Sequence, residues 1–204
     1  MAAAAGRGVT IGAHPGYRDL VGFGRRELGA SAEELAADVT YQIGALDGFC
    51  RAAGGRVRYV KLHGALYHRA YRDRDVAKAL AYALRQLDSE LVVLGPEASA
   101  LLQAAAETGL DVAREAFVDR AYLPDGRLVP RGEPGAVLDD VEAIAERALR
   151  MVQDHYVVAI DGTRCIVRAD SLCVHGDGPN PVGVVRAVRQ RFEAEAITLA
   201  PFVK

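Results

Sequence analysis

Hydrophobic positions along the chain recur with two periods, and the period switches again and again. Short apolar runs at 9–13, 56–62, 91–94, 111–117, 172–175 and 196–199 read as strands. Helical spacing fills the gaps between them. Leu35, Val39, Ile43, Leu46 and Phe49 follow Ser31 and Glu34, which are spaced as a capping box, and the helix runs on to Gly54-Gly55. Val76, Leu80, Leu84 and Leu87 mark a helix over 73–87, and a third spans 99–108 up to Gly109. Two more cover 138–152, through Val141, Ile144, Ala145, Ala148 and Leu149, and 182–192. Strands that alternate with helices and are apolar on both faces predict a parallel sheet covered by helices. The rhythm breaks once, where 157–160 and 165–167 flank Asp161-Gly162 and predict a β-hairpin. The alanine-rich start, 1–8, reads as the last turns of a helix entering the first strand. Six parallel strands are short of a closed barrel, so earlier βα units are expected to be missing.

Composition narrows the class. A chain of 204 residues, half of them hydrophobic, is long enough for one core, and a single domain over 1–204 is the default. With 25 basic against 27 acidic residues the net charge is −2, which leaves no nucleic-acid footprint or cationic membrane face. Cys50, Cys165 and Cys173 form no Cys-x-x-Cys pair and read as reduced thiols of a cytoplasmic protein. No apolar run reaches the ~20 residues that span a bilayer.

The chemistry sits where the apolar runs stop. Ile11 onward reads I-G-A-H-P-G-Y-R-D, Tyr59 onward Y-V-K-L-H-G-A-L-Y, Leu172 onward L-C-V-H-G-D, and Asp111 onward D-V-A-R-E-A-F-V-D-R-A-Y-L-P-D-G-R-L-V-P-R-G. In parallel α/β folds the loops after the strand ends build the active site, so these four stretches are expected to be the walls of one site. His14, His63 and His175 each stand at a strand end, suited to hydrogen bonding or acid–base work, with a divalent metal held by the three as the alternative. A further alternative is that each histidine ties down its own glycine-rich loop. His68 and His155 show no such placement. Lys61 on an apolar strand needs a carboxylate or phosphate partner. Glu115, Asp119 and Asp177 could orient histidine, hold Mg²⁺, or pair with Lys61 and Arg120 in a structural network. Arg25 and Arg26 could clamp an anion or stay solvated. Gly16, Gly22 and Gly24 match neither a P-loop nor a dinucleotide fingerprint.

Together, I-G-A-H-P-G-Y-R-D-L-V-G-F-G-R-R, V-K-L-H-G-A-L-Y, E-A-F-V-D-R-A-Y-L-P-D-G-R-L-V-P-R and V-H-G-D resemble the LamB/YcsF family in order and over nearly the whole chain. The resemblance implies a seven-stranded β/α barrel of the glycoside hydrolase/deacetylase type, here incomplete. It implies ATP-dependent opening of 5-oxoproline to L-glutamate, in a complex with subunits B and C that are similar to carboxylases or allophanate hydrolases. By the same resemblance His14, Tyr17 and Asp19 fall on the family's H-P-G-Y-x-D loop, and Lys61 and His63 on K-P-H-G-A-L-Y. Glu115, Asp119 and Arg120 fall on E-x-F-x-D-R, and His175 and Asp177 on H-G-D. Leu62 stands where the family has Pro, and Gly178-Pro179-Asn180-Pro181 replaces T-P-G-A. The family's D-L-N-x-D-x-G-E and C-G-F-H-A-G-D strands have no counterpart, as the strand count already suggested.

The expected catalytic group is therefore Lys61, His63, Glu115, Asp119, Arg120, His175 and Asp177. His14, Tyr17, Asp19, Arg25 and Tyr67 are expected to bind substrate. Lys61 and Arg120 would take the substrate carboxylate or a phosphoryl group, Glu115 or Asp177 would be the general base, and the three histidines would polarise the amide. ATP acts through the assembled complex. A metal-dependent deacetylase or amidohydrolase acting alone, a non-catalytic scaffold and a homo-oligomer are the alternatives.

Overall fold

The computed structural model describes Ala2–Val203, and the chain divides into two compact units. The first runs to Ala113 and the second is Arg114–Phe202. After a short α1 (Ala2–Ala5), the first unit carries β1 (Ile11–Ala13), α2 (Ala32–Ala52), β2 (Val57–Val60), α3 (Gly64–Arg72), α4 (Arg74–Leu87), β3 (Val92–Gly95) and α5 (Ala100–Glu107). The part of the expected opening helix that is Met1 lies outside the described residues. Strands β1, β2 and β3 pair in parallel, with Ala13 opposite Val60 and Val60 opposite Val93. Helices α2, α4 and α5 pack on one another and bury Leu35, Val39, Ile43, Leu80 and Leu84.

Helix α2 starts where the sequence says it should. Glu34 N–H donates to Ser31 Oγ at 3.2 Å while Ser31 N–H donates to Glu34 Oε2 at 2.8 Å, so each end of the capping box satisfies the other. Phe49, expected on its apolar face, is exposed, and Cys50 takes the buried position instead. Helix α3 is not predicted by the sequence pattern. Its N-cap is His63, whose side chain makes no capping bond, so the usual start signal is absent.

The boundary between the units falls within β4 (Asp111–Phe117). The second unit continues with α6 (Val141–Gln153), β5 (Tyr156–Val158), β6 (Arg164–Ile166), β7 (Ser171–Cys173) and α7 (Pro181–Ala194). Strand β4 pairs in parallel with β7, with Glu115 opposite Ser171 and Phe117 opposite Cys173. The hairpin forms as expected, β5 antiparallel to β6.

Of the six parallel strands expected, the last does not form. Residues 196–199 instead end helix α7 in a Schellman motif. Ala196 takes φ 54°, its N–H donates to the Glu193 carbonyl at 3.1 Å, and Ile197 N–H reaches back to the Phe192 carbonyl at 2.8 Å. An apolar tail that looks like a strand is here the wrap-up of a helix.

Packing of the first unit rests on α4, so its most buried leucine is the natural probe. Leu80→Ala should cost about 2–5 kcal/mol through lost burial and the cavity left behind, read as a shift in the urea midpoint at constant slope.

Candidate functional site

In the first unit, polar residues gather directly beyond β1 and β2. Pairing of the two strands continues past their ends, because Lys61 N–H donates to the Ala13 carbonyl at 3.0 Å and His63 N–H to the Pro15 carbonyl at 2.8 Å. That brings His14 and His63 side by side. Their rings meet edge to face, centroids 4.8 Å apart, with His14 Nε2 3.1 Å from His63 Nδ1. Each outer ring nitrogen meets a backbone carbonyl at 2.7 Å: His14 Nδ1 that of Lys61, and His63 Nε2 that of Phe23. Lys61 is half-buried and His14 exposed.

The loop that supplies the Phe23 carbonyl is built around Asp19. This carboxylate is buried, accepts from Gly22 N–H at 2.9 Å and pairs with the Arg26 guanidinium, whose Nε lies 3.0 Å from Oδ2. Its backbone carbonyl accepts Gly24 N–H at 2.9 Å. The hydrogen bond from Arg26, helped by Gly22, holds the Asp19 carboxyl down at about 2. Phe23 takes φ 54°, a left-handed conformation that a phenylalanine adopts only when its surroundings impose it. The loop also fits closely against the His63 turn. Position 64, at φ 56°, requires glycine because any Cβ there would run into the Gly24 carbonyl, and Ala65 N–H donates to that carbonyl at 2.9 Å. At the other end of the loop Gln42 of α2 receives Gly16 N–H at 3.1 Å and donates to the Gly16 carbonyl at 2.8 Å.

The structure thus places the expected substrate-binding residues in two roles. His14 lies against His63. Tyr17 is buried with its hydroxyl 3.3 Å from Arg69 Nη1, Asp19 is the loop's anchor, and Tyr67 is buried on α3 with its ring edge-on to His68. Arg25 lies over the Phe23 ring, 5.4 Å from its centroid. Arg26, expected as an anion clamp, holds an anion of its own chain, Asp19.

In the second unit, Asp119 follows β4 and His175 follows β7. His175 Nδ1 lies 2.9 Å from Asp119 Oδ1, and His175 N–H donates to Oδ2 at 2.6 Å. The Phe117 ring stacks on the imidazole at 5.5 Å. Burial pushes the Asp119 carboxyl up, but the ring and backbone bonds from His175 outweigh it and leave the carboxyl below its ordinary value. A carboxylate can only accept, so Nδ1 carries the proton and the lone pair of neutral His175 is on Nε2. This is the orientation of a base held by a carboxylate.

Arg120 is buried and directed elsewhere. Its Nε donates to the Ala136 carbonyl at 3.0 Å and its Nη2 to the Val129 carbonyl at 2.6 Å, fastening the long loop after β4 around Ala121, Val129 and Ala136. Asp177, expected among the catalytic residues, is exposed and pairs with Arg131 at 3.0 Å. Glu115 is buried on β4.

Two residues that the sequence pattern does not single out support this unit. Tyr122 Oη accepts the Phe117 N–H at 2.8 Å, and burial pushes its hydroxyl up to about 12. Arg147 of α6 is a buried guanidinium that donates from Nη2 to the Arg120 carbonyl at 2.9 Å and lies 5.4 Å from the Tyr122 ring centroid. Burial pulls it below its ordinary value. A charge on the apolar face of α6 is the signal that could have found it. For Tyr122 the sequence offers none. Among the described residues, no group of three or more His, Cys, Asp or Glu is arranged to hold a metal ion, and no helix is long and apolar enough to cross a membrane.

Two outcomes follow from these contacts. A carboxyl held low in the fold stabilises it above its unfolded value of about 4, and that stability is lost as pH falls toward about 2. Arg26→Ala should therefore move the acid unfolding limb to higher pH in circular dichroism, and an unmoved limb would contradict the anchor role of Asp19. Tyr122→Phe removes the acceptor of a buried N–H and should cost about 1 kcal/mol in urea unfolding.

The sequence profile of the LamB/YcsF family matches residues 1–204. The A subunit of 5-oxoprolinase from Paracidovorax citrulli is 53% identical over 196 residues, which cover 96% of this chain and 78% of that protein. The protein of the same name from Mycobacterium avium is 53% identical over 199 residues, covering 98% and 79%. The crystal structure of the lactam utilization protein from Thermus thermophilus matches with a TM-score of 0.89 at 48% identity, over 98% of this chain and 79% of that one. The fold is of the α/β-barrel class expected from the alternation of strands and helices. With the family profile matched from end to end, the chain belongs to the LamB/YcsF family.

Proposed function

We propose that the chain is the A subunit of an ATP-dependent 5-oxoprolinase and takes part in hydrolytic opening of 5-oxo-L-proline to L-glutamate together with subunits B and C. Relatives at 53% identity bear that name and match over nearly the whole of this chain, which supports membership of that enzyme system. The observation that carries the chemistry is the Asp119–His175 pair.

A five-membered lactam is a resonance-stabilised amide, so hydrolysis needs an activated water. His175, fixed in one tautomer by Asp119, offers Nε2 as the base for that water, a role worth roughly 10²–10⁴-fold in rate. This replaces Glu115 and Asp177 as the base. Asp177 is engaged by Arg131, whereas the imidazole is held in the orientation that proton abstraction needs. Arg120 serves the same end indirectly, by fastening the loop that carries Asp119.

ATP supplies the driving force when the complex is assembled. The glycine-rich loop of this chain does not fit a phosphate cradle, because the Gly16, Gly22 and Gly24 amides already donate to Gln42 Oε1, Asp19 Oδ1 and the Asp19 carbonyl. Nucleotide binding is accordingly assigned to the complex and not to this loop.

Glutamate release from 5-oxoproline by the chain mixed with subunits B and C should require ATP. His175→Gln should lower kcat by about 10²–10⁴-fold, and Asp119→Asn, which offers Nδ1 the wrong partner, by at least about 10²-fold with KM little changed. Release without ATP, or full activity in both variants, would overturn the proposal.

A further inference from the structure

The contact between His14 and His63 has a protonation requirement that follows from its neighbours. A backbone carbonyl only accepts, so His14 Nδ1 must carry a proton to meet the Lys61 carbonyl and His63 Nε2 must carry one to meet that of Phe23. In neutral imidazole the remaining nitrogen is then a bare acceptor. The two remaining nitrogens, His14 Nε2 and His63 Nδ1, are the pair that face each other at 3.1 Å. Two lone pairs at that distance repel. Two protons there would set N–H against N–H. One proton gives an ordinary N–H···N hydrogen bond between an imidazolium and an imidazole.

We propose that His14 and His63 form a single acid–base unit that holds one proton between them. A metal ion could also sit between two imidazole lone pairs whose outer N–H groups bond to carbonyls. Among the described residues, however, no third His, Cys, Asp or Glu joins them in a metal-ligand group, and 3.1 Å is a hydrogen-bond distance. The unit is held rigidly on both sides. The Lys61 carbonyl is fixed by the continued β1–β2 pairing, and the Phe23 carbonyl by the Asp19–Arg26 anchor and the close approach of Gly24 to Gly64. The neighbouring charges are Lys61, the Asp19–Arg26 pair and Arg25 over the Phe23 ring.

Resting on the function proposed above, the unit gives its proton to the ring nitrogen of the lactam as the C–N bond breaks. The bonding pair goes to nitrogen, the shared proton goes with it to make the amino group of the product, and both imidazoles are left neutral. Their opposed lone pairs then favour recapture of a proton from solvent, which restores the unit. Neither histidine can do this alone, since the arrangement that makes the proton easy to give and to regain belongs to the pair.

The first test needs no activity. In the ¹⁵N-histidine-labelled chain, the ring spectra should show His14 Nδ1 and His63 Nε2 protonated and a scalar coupling across the hydrogen bond between His14 Nε2 and His63 Nδ1. Absence of that coupling, with both facing nitrogens unprotonated, would overturn the shared proton, as would ring shifts that change when a chelator removes a metal. The second test uses the assembled complex. His14→Gln and His63→Gln should each lower kcat by about 10²-fold or more, and the double variant should be no slower than the worse single one, because a unit is lost once. Multiplying effects would overturn the unit. A complex that opens no lactam at all would overturn the catalytic role and the function together, while the coupling would still decide the shared proton.

Discussion

A single backbone carbonyl, that of Phe23, determines what His63 can do. Carbonyl oxygen accepts and never donates, so its 2.7 Å contact with Nε2 fixes the tautomer of the ring and turns the other nitrogen toward His14. That carbonyl is in place only because the loop around it is forced into shape. Asp19 is buried with Arg26, Phe23 accepts a left-handed backbone, and Gly24 and Gly64 approach each other where no side chain would fit. The strain and the buried ion pair are local costs. What they secure is a histidine of defined polarity.

The second unit solves a similar problem with a carboxylate. Asp119 accepts both the backbone N–H and the ring Nδ1 of His175, and so sets the position and the tautomer of one side chain at once. Behind it the loop after β4 is held by cations that bond to carbonyls. Arg120 reaches those of Ala136 and Val129, and Arg147 reaches that of Arg120. A buried guanidinium spread over carbonyl dipoles and an aromatic face is less costly than a bare charge, and its five donors organise more backbone than any neutral side chain could. Tyr122, which receives the Phe117 N–H, closes the same loop back onto the end of β4.

Much of this was legible in the sequence, and for physical reasons. Helices α2, α4 and α6 announce themselves through caps at Ser31, Asp73 and Asp140 and through apolar residues at helical spacing. Helix α3 does not, because His63 makes no capping bond and its first residue is glycine. Residues 196–199 looked like a strand since β-branched and apolar residues suit either a strand or a helix C-terminal wrap, and only the left-handed Ala196 distinguishes them. At the site, strand-end histidines and carboxylates could be picked out by position, but their partners could not. Nothing in the composition of the loop says that Arg26 would close on Asp19, that Arg120 would turn to carbonyls, or that Phe23 would offer its backbone to His63. Such roles depend on where the backbone passes, which the hydrophobic pattern constrains only at the elements.

The central claim is that the residues beyond β1 and β2 handle the lactam, with the His14–His63 contact as their working part. Titration of 5-oxoproline into the labelled chain, followed by NMR, tests this most directly. The account predicts saturable shifts of the His14 and His63 ring resonances and of the Gly64 amide. Shifts confined to other parts of the chain, or none at saturating lactam, would contradict it.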